Sequence, residues 1–164
     1  MSSVTINPPT PTPTPLQSGL YSIQSVANGG WVSINQIQNT SATQEPVVVV
    51  NPGVRSPSWN VTQTSSGAYE LSLNGATTAP LANEVFAFTD GSAGHNEAWE
   101  LNAFFSGSEW HYTIKSTGGN AQTWFIGPNF GDQISLVPVR PVPQTSDVLP
   151  EIPPQELFRF GSLD

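Results

Sequence analysis

The chain has 164 residues, no cysteine and only 10% charged residues, and its 12 Asp+Glu against 4 Lys+Arg give a net charge of −8. Four cations cannot displace the counterions of a phosphate backbone, which excludes nucleic acid as a partner. The missing thiols exclude a disulfide scaffold and a thiolate metal site, and no run of about 20 apolar residues exists to span a membrane as a helix. The 16 Pro and 14 Gly, in a chain rich in Val, Thr, Ser and Asn, predict an all-β domain with tight turns.

Taken in chain order, residues 1–6 lack the cationic start and apolar stretch of a secretion signal. With no cysteine, the expected location is cytoplasmic. Residues 7–15 read NPPTPTPTP. Proline fixes φ and removes donors, so residues 1–17 are expected to form an extended, solvated tail. Residues 18–164 are then one domain, long enough to bury a core without crosslinks.

Within the domain a short element recurs three times. Tyr21-Ser22-Ile23, Tyr69-Glu70-Leu71 and Tyr112-Thr113-Ile114 each alternate apolar and polar residues, the period of a half-buried strand. A second element, aromatic-polar-apolar, follows each of them: Trp59-Asn60-Val61, Trp99-Glu100-Leu101 and Phe158-Arg159-Phe160. Apolar strands precede these at 47–50, 85–88 and 134–137, and further strands are expected at 30–35, 76–81 and 121–126. Twelve short strands in three units of 40 to 50 residues are too few units for a propeller. They predict a β-trefoil: three four-stranded repeats forming a six-stranded barrel plus a hairpin cap. The matching positions of Trp31 and Trp124 place both under the barrel.

The titratable residues offer no catalytic arrangement. His95 sits in a loop and His111 on a strand, with no metal-ligand spacing between them, so no metal or cofactor is expected. No Gly-x-Ser-x-Gly elbow is present. Glu97, Glu100 and Glu109 could pair as acid and base, but Glu100 lies opposite Trp99 in the alternation and faces solvent. The chain is therefore read as a binding protein that acts through loops, not as an enzyme.

Two kinds of binding compete. A sugar could stack on Trp31, Trp110, Trp124 or Phe130, and Trp110 is the best exposed of them. The Gln-x-Trp signature of ricin-type lectins is missing, because Pro57, Glu97 and Glu156 stand two residues before the closing aromatics. The other kind is protease inhibition. Gln17-Ser18-Gly19-Leu20-Tyr21, Asn51-Pro52-Gly53-Val54 leading to Trp59, Val85-Phe86-Ala87-Phe88, the run 133–141 and the ending Pro153-Pro154-Gln155-Glu156-Leu157-Phe158-Arg159-Phe160 together resemble the cospin family of mushroom serine-protease inhibitors. The resemblance spans nearly all of residues 17–160.

That resemblance implies a monomeric β-trefoil that inhibits trypsin-like serine proteases in a defensive role. It also implies that one loop carries the inhibition. One candidate is the loop 36–45, QIQNTSATQE, with Gln38, Asn39, Thr40 and Ser41 at its centre and Asn39 near the primary specificity position. The second is the loop 138–155, with Val139, Arg140 and Pro141. Arg140 supplies the cation that a trypsin-like pocket pairs with its carboxylate. Pro141, however, blocks cleavage and restricts the backbone of Arg140. Arg55, in the loop 51–57, and Lys115, on a strand, are weaker lures. The related mycocypins inhibit cysteine proteases through the loops after the first and third strands, here 27–29 and 51–57, which keeps a cysteine-protease target open.

Overall fold

The computed structural model describes residues 15–34, 44–89, 98–106, 108–117, 121–139 and 152–163. Its strands are β1 (Gly19–Ser25), β2 (Trp31–Ile34), β3 (Gln44–Val50), β4 (Trp59–Gln63), β5 (Tyr69–Leu73), β6 (Ala76–Leu81), β7 (Glu84–Phe88), β8 (Ala98–Ser106), β9 (Glu109–Ser116), β10 (Gln122–Phe125), β11 (Ser135–Pro138) and β12 (Phe158–Ser162). One short 3-10 helix, Pro154–Glu156, precedes β12. The period-2 reading holds where it was clearest: β5 alternates buried Tyr69, Leu71 and Leu73 with half-exposed Glu70 and Ser72.

The pairing corrects the β-trefoil expectation. All pairs are antiparallel, and the sheet closes as a barrel through ten strands in the order β1-β4-β5-β8-β9-β10-β11-β7-β3-β2 and back to β1. Two further strands lie outside that ring. β6 bridges β5 and β7, and β12 bridges β1 and β9. The hairpins are thus bonded edge to edge into the barrel rather than set apart as a cap. The repeat located the strands, and its opening tyrosine faces its closing aromatic in all three units: Tyr21↔Trp59, Tyr69↔Trp99 and Tyr112↔Phe158. The ring is completed by short junctions such as Gln24↔Trp31, Thr123↔Lys115 and Ser135↔Glu84.

The hairpin turns follow from residue type. Leu73 pairs with Ala76 across Asn74-Gly75, and both turn residues have positive φ (52° and 82°). This is the two-residue turn whose twist matches the strands, and Asn-Gly is its preferred sequence. Leu81 pairs with Glu84 across Ala82-Asn83, again with positive φ at both residues.

The repeated residues fill the core. Ile23, Leu71 and Ile114 are fully buried, each contributing on the order of 1.5–3 kcal/mol. Trp59, Trp99 and Phe158, on β4, β8 and β12, are also fully buried. Trp124 packs edge-on against Trp99 at 5.3 Å and against Phe158 at 5.8 Å. Two of the buried indoles have internal partners. Trp59 Nε1 donates to the Val32 carbonyl at 2.8 Å. Trp99 Nε1 donates to Thr78 Oγ1 at 2.8 Å, and that hydroxyl donates on to the Leu71 carbonyl at 2.9 Å. Trp31 does not join this core. It is half-exposed, and its indole N–H donates to the Pro52 carbonyl at 3.3 Å.

Candidate functional site

The opening tyrosines brace one point of the barrel. Tyr21 Oη donates to the Gln17 carbonyl at 2.8 Å and Tyr69 Oη to the Leu16 carbonyl at 2.9 Å, while Leu16 packs against the core. Burial pushes the Tyr69 hydroxyl above the usual phenol range, and the neighbouring Tyr21 adds to this. Tyr112 is raised for the same reasons, by burial first and then by Tyr21 and Tyr69. The three phenols therefore lie within electrostatic reach of one another, and their work is structural.

Loops leave the barrel at both ends of β3. At its start, Ile34 pairs with Val47 and Gln44 with Phe88. The segments 35–43 and 90–97 consequently depart from neighbouring strands. An open cleft of about 510 Å³ lies at their base, lined by Ser33, Ile34, Glu45, Leu73, Asn74 and Thr89 among others. Gln38, Asn39, Thr40 and Ser41 lie outside the described residues, as do Arg140, Pro141, His95 and Glu97. Val139 is described, and it stands exposed just past the end of β11. The far end of the segment that follows it is tied down, since Ile126 N–H donates to the Gln155 carbonyl at 3.1 Å and Val26 N–H to the Leu157 carbonyl at 3.0 Å.

At the other end of β3, residues 51–58 connect to β4. Asn51 Oδ1 accepts from the Gly53 N–H at 2.8 Å, and the Asn51 carbonyl accepts from the Val54 N–H at 3.2 Å. Val54 and Arg55 are exposed beyond this turn. The turn 126–134 lies beside it, because Gly131 N–H donates to the Val49 carbonyl at 2.7 Å.

Trp110 stands elsewhere, on β9, half-exposed and edge-on to Phe105 at 5.1 Å. With Trp31, Tyr112, Phe160, Glu109 and Arg159 it lines a cleft of about 410 Å³. Arg159 Nε donates to Glu109 Oε2 at 2.8 Å. That hydrogen bond and the guanidinium charge hold the Glu109 carboxyl below its usual range. His111 Nε2 lies 3.5 Å from the same oxygen. Glu100, expected to face solvent, is exposed and sits 3.7 Å from Lys115 Nζ. Among the described residues no group of three or more His, Asp or Glu converges as a metal site, and no helix is long and apolar enough to cross a membrane.

Residues 14–162 match the model of the peptidase inhibitor I66 family. The chain belongs to that family. The resemblance to cospins read from the sequence agrees with this, and so does a solved proteinase inhibitor from Coprinopsis cinerea. It superimposes on the I66 chain with a TM-score of 0.75 at 22% identity, covering 90% of this chain and 99% of the other. The same fold occurs in a Culex salivary protein of the cysteine- and tryptophan-rich family (TM-score 0.63, 14% identity, 88% and 94% coverage). It occurs also in SeviL, solved bound to the asialo-GM1 saccharide (TM-score 0.63, 10% identity, 90% and 100% coverage). At these identities the likeness concerns the fold alone. No curated protein matches by sequence.

Sequence reasoning passed over two features. The Asn51 turn was visible as Asn-Pro-Gly, a turn sequence, but the Trp31 contact that fixes its outer side was not. The Glu109–Arg159 pair joins β9 to β12 across 50 positions, and nothing in the sequence couples those residues.

Proposed function

We propose that this I66 member inhibits serine proteases of the trypsin class, as a monomer and in a defensive role, by presenting one exposed loop from a rigid closed barrel. The family match over residues 14–162 carries the reading, because peptidase inhibition is the property that names the family. The cospin-like segments 17–21, 51–54 and 153–160 support the serine class. The closed sheet supports the loop mechanism: a barrel without free edges anchors both ends of each connection, and a loop ordered before binding loses little entropy on docking. The test is a titration of trypsin, chymotrypsin and subtilisin with the full chain. Loss of trypsin activity near stoichiometry is expected; full activity of all three at large excess refutes the reading.

A second reading has its own observation. The cleft beside Trp110 offers two indoles, Trp110 and Trp31, next to an ionised Glu109 and a guanidinium. An aromatic platform with charged hydrogen-bonding groups at its rim suits a saccharide. Glycan binding that disappears in Trp110→Ala would favour this reading; equal binding by Trp110→Ala would remove it.

A further inference from the structure

We propose that the connection between β3 and β4, residues 51–58, is the inhibitory segment, and that Arg55 is the side chain that enters the specificity pocket of an arginine- or lysine-directed serine protease. The inference rests on the protease-inhibitor reading above.

The few cations of the chain make the choice tractable. Among the described residues, Arg159 is committed to Glu109 at 2.8 Å, and Lys115 lies 3.7 Å from Glu100. Arg55 is exposed and makes no hydrogen bond or ion pair with any described residue. It is therefore free to pair with the carboxylate at the floor of a trypsin-like pocket without first breaking an internal contact. Arg140, the remaining cation, is followed by Pro141, whereas Arg55 is followed by the small Ser56. Proline comes one place later, at Pro57, where it biases Ser56 toward extended backbone. Extended backbone after the specificity residue suits a protease cleft, which takes up its ligand as an added strand.

The loop is held before it binds. Asn51 closes the turn through its side chain at 2.8 Å and its carbonyl at 3.2 Å, and the Trp31 indole pins Pro52 at 3.3 Å. These contacts fix the stretch that leads into Val54 and Arg55, reducing the ordering cost of association.

The surroundings suit an interface. Val54 is 51% exposed and Phe130 is 46% exposed. A Cβ built on Gly30 would stand 2.6 Å from the Val50 carbonyl oxygen and 2.9 Å from Phe130 Cε1. The Phe130 ring thus lies near the backbone from which the loop departs. A free cation beside exposed apolar groups resembles a hot spot with its collar. Asn39 lies in the segment that precedes β3, whereas Arg55 lies in the one that follows it, and the two ends of this seven-residue strand are roughly 20 Å apart, so the two segments are separable by mutation.

The test measures inhibition constants of the full chain and four variants against trypsin and chymotrypsin, with circular dichroism to confirm the fold. Arg55→Ala is expected to weaken trypsin inhibition at least about 30-fold, the scale for truncating one partner of a buried charge pair. Arg55→Lys should stay within about tenfold, since the charge and reach are kept. Asn39→Ala and Arg140→Ala should match the wild type. If the wild type inhibits trypsin and Arg55→Ala inhibits equally well, the assignment to Arg55 is overturned and the inhibitor reading survives. Inhibition of chymotrypsin but not trypsin has the same consequence. If the wild type inhibits neither these enzymes nor subtilisin, both readings fall together.

Discussion

Replacing Thr78 with valine should lower the melting temperature by about 5–10 °C. The substitution keeps the shape of the side chain and deletes one oxygen. That oxygen is fully buried, accepts from Trp99 Nε1 at 2.8 Å and donates to the Leu71 carbonyl at 2.9 Å. Its loss strands an indole N–H in a core from which water is excluded. An unsatisfied buried donor costs about 1–3 kcal/mol, and loss of the second hydrogen bond brings the total to about 2–3 kcal/mol. For a domain of this size each kcal/mol corresponds to about 2–4 °C. Thermal unfolding followed by circular dichroism measures the shift, and urea titration gives the free energy at constant temperature. Two comparisons separate polarity from packing. Thr78→Ser keeps the hydroxyl and loses one methyl, costing about 1 kcal/mol. Ser25→Ala removes a buried hydroxyl that has no hydrogen-bond partner among the described residues, so it should be neutral or slightly stabilising. The double variant Thr78→Val with Trp99→Phe should cost less than the sum of its parts, because phenylalanine has no N–H to strand. A Thr78→Val protein that melts within about 1 °C of wild type would refute the role given to this hydrogen-bonded chain.

Gly30→Ala should be severely destabilising, by at least about 3 kcal/mol in urea titration, because the new Cβ would meet the Val49 side chain at 2.5 Å and the Val50 backbone oxygen at 2.6 Å. Gly75→Ala should cost only about 1 kcal/mol, since φ is 82° but nothing lies within 4 Å. Tyr69 and Tyr112 bind their protons more tightly in the folded chain than in the unfolded one. Stability from these groups is therefore complete below the ordinary phenol range and is lost as pH rises through their raised values, so denaturation midpoints should fall at alkaline pH, and Tyr69 and Tyr112 should ionise late in phenolate absorbance. For Glu109 the sign is opposite: its carboxyl is depressed by Arg159, so its contribution holds above the usual carboxylate range and is lost as pH falls through the lowered value. In an NMR titration Arg159→Gln should move the Glu109 transition upward.

The strands were readable because their residues answer to local rules. Tyr69, Leu71 and Leu73 alternate with polar neighbours and lie on β5; the Asn74-Gly75 turn follows directly. Trp59, Trp99 and Phe158 are apolar enough to demand burial wherever the chain closes. The way the ring closes through β7 was not readable, because backbone ladders such as β3–β7 and β7–β11 are formed by residues that any strand could offer. Trp31 and Trp124 show the limit most directly. They match in sequence, yet Trp124 is sealed between Trp99 and Phe158 while Trp31 covers a loop. The site was harder for a related reason. Loop 51–58 owes its order to Trp31, 21 positions away from Pro52, and the freedom of Arg55 emerges only once Lys115 and Arg159 are seen beside acidic partners.

The most direct measurement is residual trypsin activity at fixed enzyme and rising concentration of the full chain. Trypsin activity is expected to decline to near zero close to one equivalent, with chymotrypsin much less affected. Trypsin that keeps its full activity at large excess of the chain would contradict this expectation.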